Sequence, residues 1–91
     1  MIVLKQIHIK EIVMRYSLKQ LAVFDAVATT GSVSQAAEML SLTQSATSMS
    51  LSQLEKMLGR SLFERNGKRM ALTHWGVWLR PKAKKLIHDA Q

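Results

Sequence analysis

Between Val33 and Ser52 the chain carries two short helical patterns, VSQAAEML and QSATSMSLS, with only Ser41-Leu42-Thr43 between them. In the first, Val33, Ala36, Ala37 and Leu40 recur at helical spacing, and the two alanines let another helix approach that face closely. In the second, Thr47, Leu51, Leu54 and Leu58 form the next such face. Three connecting residues cannot return the chain as a long antiparallel hairpin, so the helices must turn sharply. This is the outline of a helix-turn-helix, a motif that presents its second helix outward while the remaining residues hold it in position.

The flanking sequence supplies the other elements. Ser17 caps a first helix through Leu18, Leu21, Phe24, Val27 and Ala28, a three/four-spaced apolar face ending before Thr29-Thr30-Gly31. Ser32 followed three residues later by Gln35 reads as a capping box that starts the second helix. Thr43 caps the third, which runs to about Leu58 and is stopped by Gly59. Beyond it, Asn66-Gly67 lies between two short segments, Ser61 to Arg65 and Lys68 to Thr73, and predicts a hairpin whose tight turn needs positive φ at both central residues. Thr73 or His74 opens a fourth helix through Trp75, Val77, Trp78, Leu79, Leu86 and Ile87, with a kink expected at Pro81. The predicted class is mainly α: a winged helix-turn-helix, with a three-helix core and a two-stranded β wing, followed by a long linker helix. Its divisions are an N-terminal extension over 1–16, the winged domain over 17–73 and the linker or dimerisation helix over 74–91.

Residues 1–16 fit no single element. Ile7-His8-Ile9-Lys10 alternates like a strand, while Val3, Ile7 and Met14 suit a ragged helix. Lys5, Lys10 and Arg15 suit a membrane-surface or DNA-backbone arm as well as a loosely ordered extension, and Met14 is an alternative start.

Composition narrows the function. Ninety-one residues make one domain with one modest core and leave no room for a separate catalytic domain. The formal charge of +7 points to a polyanionic partner, nucleic acid ahead of membrane headgroups. No cysteine is present, which removes disulfides and thiolate metal sites. No apolar run approaches the roughly 18 residues of a spanning helix, and no signal-peptide pattern opens the chain. A cytoplasmic location without a membrane partner is expected. His8, His74 and His88 fall on separate elements, no phosphate-binding glycine loop occurs and the serine-rich third helix has no adjacent general base, so neither catalytic residues, a metal nor a cofactor is expected.

The charge is unevenly placed. Eight of the thirteen basic residues lie from Arg60 onward, whereas Gln44 to Gln53 contains no charged side chain. A division of labour follows, with the wing and fourth helix neutralising phosphates and the third helix offering hydroxyl, amide and methyl groups to base edges. With Thr47, Leu51 and Leu54 inward, the candidate readers are Gln44, Ser45, Ser48, Met49 and Ser52. Gln44 suits adenine, the serines donate or accept, and Met49 can touch a thymine methyl. Lys68 and Arg69 stand at the hairpin tip with Arg65 before the turn, placed either for DNA contact or to protect an exposed strand edge. The cluster Lys82, Lys84, Lys85 fits a solvated helix face as well as phosphate contact.

Several stretches together resemble the N-terminal DNA-binding domain of LysR-type transcriptional regulators: SLKQLAVFDAVATTGS, AAEML, TQSATSMSLSQLEKMLGRSLFER, and Leu72-Thr73 with Gly76 three residues after the threonine. The resemblance covers about Ser17 to Ala90. It implies a winged helix-turn-helix that binds double-stranded DNA sequence-specifically, a linker helix pairing in a homodimer, and an effector-binding domain in a full-length protein that these residues do not include. Carried over by position, it marks Gln44, Ser45 and Ser48 on the recognition helix. It also marks the second helix's start at Ser32, Ser34 and Gln35 as a backbone-contacting end, and Arg65, Asn66, Lys68 and Arg69 as the wing. Trp75, Trp78, Leu79, Leu86 and Ile87 are the expected dimerisation residues. The sequence departs from the family pattern at Met49, where many members carry a basic residue, and often at Ser52 and Gln53; this shifts the expected phosphate grip to the wing and helix N-termini. The competing reading is a basic protein-protein or dimerisation module without specific DNA binding, resting on the tryptophans and the apolar fourth helix.

Overall fold

A computed structural model describes residues 17–90, so the expectations for 1–16 lie outside the described residues. The elements are α1 (Leu18–Thr30), α2 (Val33–Met39), α3 (Gln44–Leu58), β1 (Phe63–Asn66), β2 (Arg69–Leu72) and α4 (His74–Asp89). Ser17, Ser32, Thr43 and Thr73 each cap the following helix, their hydroxyls accepting the N–H of Gln20, Gln35, Ala46 and Gly76.

The full capping box is at α1, where Gln20 Oε1 also accepts the Ser17 N–H. At α2 the expected box is only half made. Thr30 Oγ1 accepts the Ser32 N–H at 3.2 Å, taking the place predicted for the Gln35 side chain, and Gln35 is left exposed. Thr30 Oγ1 also lies 2.9 Å from the Ala26 carbonyl, and α1 runs two residues past its expected end to the left-handed Gly31 cap, whose N–H donates to the Val27 carbonyl.

The sharp turn between α2 and α3 is a Schellman-type ending. The Ser41 N–H donates to the Glu38 carbonyl and the Leu42 N–H to that of Ala37. Ser41 takes φ 57°, the left-handed region usually given to glycine, and does so without a glycine's freedom.

Helix α1 is the centre of the fold, contacting α2, α3 and α4. Its expected single apolar face is therefore too narrow: Val23 and Ala26 are buried along with Leu21, Phe24 and Val27, while Leu18 is 40% exposed. Leu51, Leu54 and Leu58 of α3 complete the core with Leu62, Phe63 and, from α4, Leu79, Ala83 and Leu86. The Phe24 and Phe63 rings pack tilted with centroids 5.5 Å apart.

The hairpin is antiparallel with Phe63 opposite Leu72 and Asn66 opposite Arg69. Its two loop residues are thus Gly67 and Lys68, one step later than the predicted Asn66-Gly67 turn. Only Gly67 takes positive φ (65°), as in a turn with glycine at its first central position. Two backbone bonds seat the wing: the Met70 N–H donates to the Gly31 carbonyl and the Thr73 N–H to that of Leu62.

Helix α4 is one continuous helix from His74 to Asp89 with Pro81 inside it. Arg80 Nη2 donates to Thr29 Oγ1 at 3.0 Å, and Arg80 Nε and Lys84 Nζ lie 3.6 and 3.8 Å from Asp25 Oδ1, fastening α4 to α1. This docking overturns part of the expected dimer face. Leu79 and Leu86 are core residues, 1% and 7% exposed, and Ile87 packs partly buried against the same core. Trp75 and Trp78 are half-buried beneath Arg60 and Lys82, whose cationic groups lie 4.8 and 4.2 Å from the ring centroids. The apolar side chain that α4 does present outward is Val77, 60% exposed, beside exposed Pro81. No helix of the described residues is long and apolar enough to cross a membrane.

Candidate nucleic-acid interface

The inward residues of α3 are settled by packing: Thr47, Leu51, Leu54 and Leu58 are buried, with Ser50 beside them. Thr47 hides its hydroxyl by donating to the Thr43 carbonyl at 2.8 Å. A helix fixed this way must turn its other side out, and Gln44, Ser45, Ser48, Met49 and Ser52 line one open concavity of about 710 Å³. All five predicted readers are therefore neighbours on one exposed face.

On one flank, the start of α2, the start of α3 and the wing enclose a polar basin of about 270 Å³. It brings Ser32, Ser34, Gln44, Ser48, Arg65 and Lys68 together, residues that the sequence spreads over three elements. Ser32 Oγ is already occupied with the Gln35 N–H and lies 3.3 Å from Ser34 Oγ. Gln35, Asn66 and Arg69 do not line this basin. Arg69 instead lays its guanidinium against Gly31, where a Cβ would meet Nη2 at 2.8 Å. Its side chain covers the bend between α1 and α2 and does not project from the wing tip.

The other flank was not foreseen. A groove of about 210 Å³ runs between the start of α1 and α3, with Ser17, Lys19 and Gln20 facing Ala46, Met49 and Gln53. Gln20 Nε2 donates to Gln53 Oε1 at 3.4 Å, so the α1 capping residue also braces α3. The signal available in the sequence was the Ser17-x-x-Gln20 spacing, which fixes where Gln20 sits in the first turn. Electrostatically the result is an uncharged outward face of α3 between Arg65 and Lys68 on one side and Lys19 on the other. Among the described residues no group of three His, Cys, Asp or Glu side chains could hold a metal ion.

Residues 18–77 match the family model described as "Bacterial regulatory helix-turn-helix protein, lysR family". The chain belongs to the LysR family. It is 46% identical over 77 residues to the HTH-type transcriptional regulator YeiE of Escherichia coli strain K12, covering 85% of this chain and 26% of YeiE. Among solved structures it is similar to a mutant of OxyR from Corynebacterium glutamicum, with TM-score 0.82, 36% identity and coverage of 84% of this chain and 24% of that one. It is also similar to BenM_DBD in its complex with benA site 1 DNA, with TM-score 0.77, 31% identity and coverage of 81% and 86%. The four helices and the two-stranded antiparallel sheet are the winged helix-turn-helix of LysR regulators. This chain spans about a quarter of YeiE's length.

Proposed function

We propose that this chain is the DNA-binding domain of a LysR-type transcriptional regulator and binds double-stranded DNA sequence-specifically as a homodimer. In this reading α3 enters the major groove, with Gln44, Ser45, Ser48, Met49 and Ser52 toward base edges, and Arg65 and Lys68 hold phosphates from the wing side. Ser34 and Gln35 border the same strand from the start of α2, Asn66 extends the wing tip, and Arg69 steadies the wing against Gly31. The observation that carries the reading is the juxtaposition of an uncharged hydroxyl-and-amide face with the polar basin that holds Arg65 and Lys68. The DNA in the BenM_DBD complex, a structure with the same fold, supports it.

The dimer contact is assigned to the outer side of α4. Val77 and Pro81 line an open cleft with Leu72, Arg80 and Lys84, and Trp78 lies half-buried at the helix's edge. Two recognition helices related by a two-fold axis would meet half-sites about one helical turn, or a multiple of it, apart on a roughly palindromic operator. The activity is binding without turnover, exercised in the cytoplasm where a bacterial regulator meets its operator.

Selection of duplexes from a random pool by the chain, followed by titration of the retained and scrambled duplexes across a salt series, tests this. The expected result is a preferred, roughly palindromic sequence whose advantage over scrambled DNA persists as salt rises. Equal affinity for all duplexes at every salt concentration would overturn it.

A further inference from the structure

We propose that Met49 is a specificity residue that seats the 5-methyl group of a thymine, so that the half-site read by α3 carries a thymine at one fixed position. This rests on the double-stranded DNA reading and takes it to a single base edge.

Met49 is 62% exposed, more than Leu18, Met39, Met57 or Val77, the other exposed large apolar residues of the described chain. The core has no use for it, since Thr47, Leu51, Leu54 and Leu58 already fill the inward side of α3. It lies where two concavities meet: the outer face with Ser45, Ser48 and Ser52, and the α1-side groove with Gln20 and Gln53. Met39 and Met57 line neither. Every other exposed side chain from Gln44 to Gln53 carries a hydroxyl or an amide, and no charge occurs in that stretch.

That contrast decides the ligand chemistry. Hydroxyls and amides find a donor or acceptor on any base pair, whereas a thioether makes no strong hydrogen bond and gains chiefly by burying apolar surface. In the major groove the base edges are donors and acceptors throughout, and the one apolar projection is the thymine C5-methyl. Pressed against a cytosine or purine edge, Met49 would desolvate polar groups without replacing their hydrogen bonds. Its three rotatable bonds let it reach the methyl while Gln53, held by Gln20, keeps the neighbouring edge polar.

The test uses a duplex selected by the wild-type chain and resynthesised with deoxyuridine replacing thymidine, one position at a time, which removes the methyl and leaves every Watson–Crick hydrogen bond. At one position per half-site the wild-type chain is expected to bind about fourfold less tightly, the ratio that corresponds to burying one methyl group. Met49→Ala is expected to bind the thymine and uracil duplexes equally at that position, and Met49→Leu to keep the discrimination. Should Met49→Ala bind no duplex, Met49→Gln, of similar length without the apolar tip, is measured in its place. A uracil penalty of the same size in the variant, or no penalty at any position in the wild type, overturns the assignment while leaving DNA binding intact. A wild-type chain that retains no duplex at low salt overturns both. If Met49 instead docked another protein, the variants would leave the uracil pattern unchanged, and this too would overturn it.

Discussion

Glu55 and Leu62 are joined across the end of α3: Oε2 of Glu55 accepts the Leu62 N–H at 2.6 Å and the Phe63 N–H at 3.3 Å. One carboxylate thus spans the bend that begins at Gly59 and fixes where the wing leaves α3. Leu62 is fully buried, so the strand entry is pinned on one side by packing and on the other by a charge-assisted bond. Arg65 and Lys68 owe their place beside Gln44 and Ser48 to this joint.

Glu55→Ala is expected to destabilise the chain by about 1–3 kcal/mol, since two part-buried N–H groups lose their acceptor. Glu55→Gln keeps a carbonyl oxygen and should lose less. Urea unfolding of the three proteins checks the order, and equal stability of Glu55→Ala and wild type would show that this carboxylate does not hold the bend.

Gly76 makes the second joint of the wing. A Cβ there would press into the Leu62 carbonyl oxygen and Leu72 Cδ2, because the first turn of α4 crosses directly over the strand entry. Alanine favours a helix interior over glycine by about 1 kcal/mol, yet forcing an atom into this contact costs about 1–3 kcal/mol. Gly76→Ala should therefore lower the thermal midpoint. A raised midpoint would show that α4 can lift from β1 freely.

The sequence announced what is local and concealed what is tertiary. Ser17, Thr43, Gly31 and Gly59 mark their helix ends because capping needs only residues within one turn of each other. The helix from Thr43 to about Leu58 was legible, and with it which side chains of α3 point outward. The hairpin was visible but its register was one residue off, since Asn66 pairs with Arg69 and leaves Gly67 to supply the positive φ. The burial of Leu79 and Leu86 was hidden, because an apolar stripe does not say whether its own domain or a second copy covers it. Arg69 read as a tip residue and turned out to lie against Gly31, 38 positions earlier, a contact that no short-range pattern carries.

That hidden division predicts two behaviours on one helix. Val77→Asp, at an outward position, should leave the unfolding midpoint nearly unchanged and shift the chain toward monomer in sedimentation equilibrium. Leu79→Ala, inside the core, should cost about 2–5 kcal/mol of stability. A Val77→Asp chain that dimerises as well as wild type would take the dimer contact off this face of α4.

The wing's three basic residues should not behave alike. Arg65→Ala and Lys68→Ala are each expected to weaken binding to every duplex and to reduce the slope of log affinity against log salt by about 0.9, the share of one phosphate contact. Arg69→Ala should reduce stability more than salt slope, because its guanidinium covers Gly31. Salt titrations beside urea unfolding separate the two effects. A full phosphate's worth of slope lost at Arg69, with stability unchanged, would return that residue to the wing tip.

The uncharged outward face of α3 gives the sharpest expectation. Between Gln44 and Gln53 the helix has no charge with which to attract phosphate, so in the proposed reading its hold on DNA comes from its flanks. Met49→Arg places a cation on the most exposed apolar position of α3. It should tighten binding to all duplexes at low salt and steepen the salt slope by about 0.9, while lowering the ratio of selected to scrambled affinity. The uracil penalty should vanish in the same variant, because a guanidinium gains nothing from a methyl group. Titrations of both duplexes at two salt concentrations read all three quantities. An arginine there that leaves scrambled-duplex affinity and salt slope unchanged would mean that this side of α3 does not face DNA.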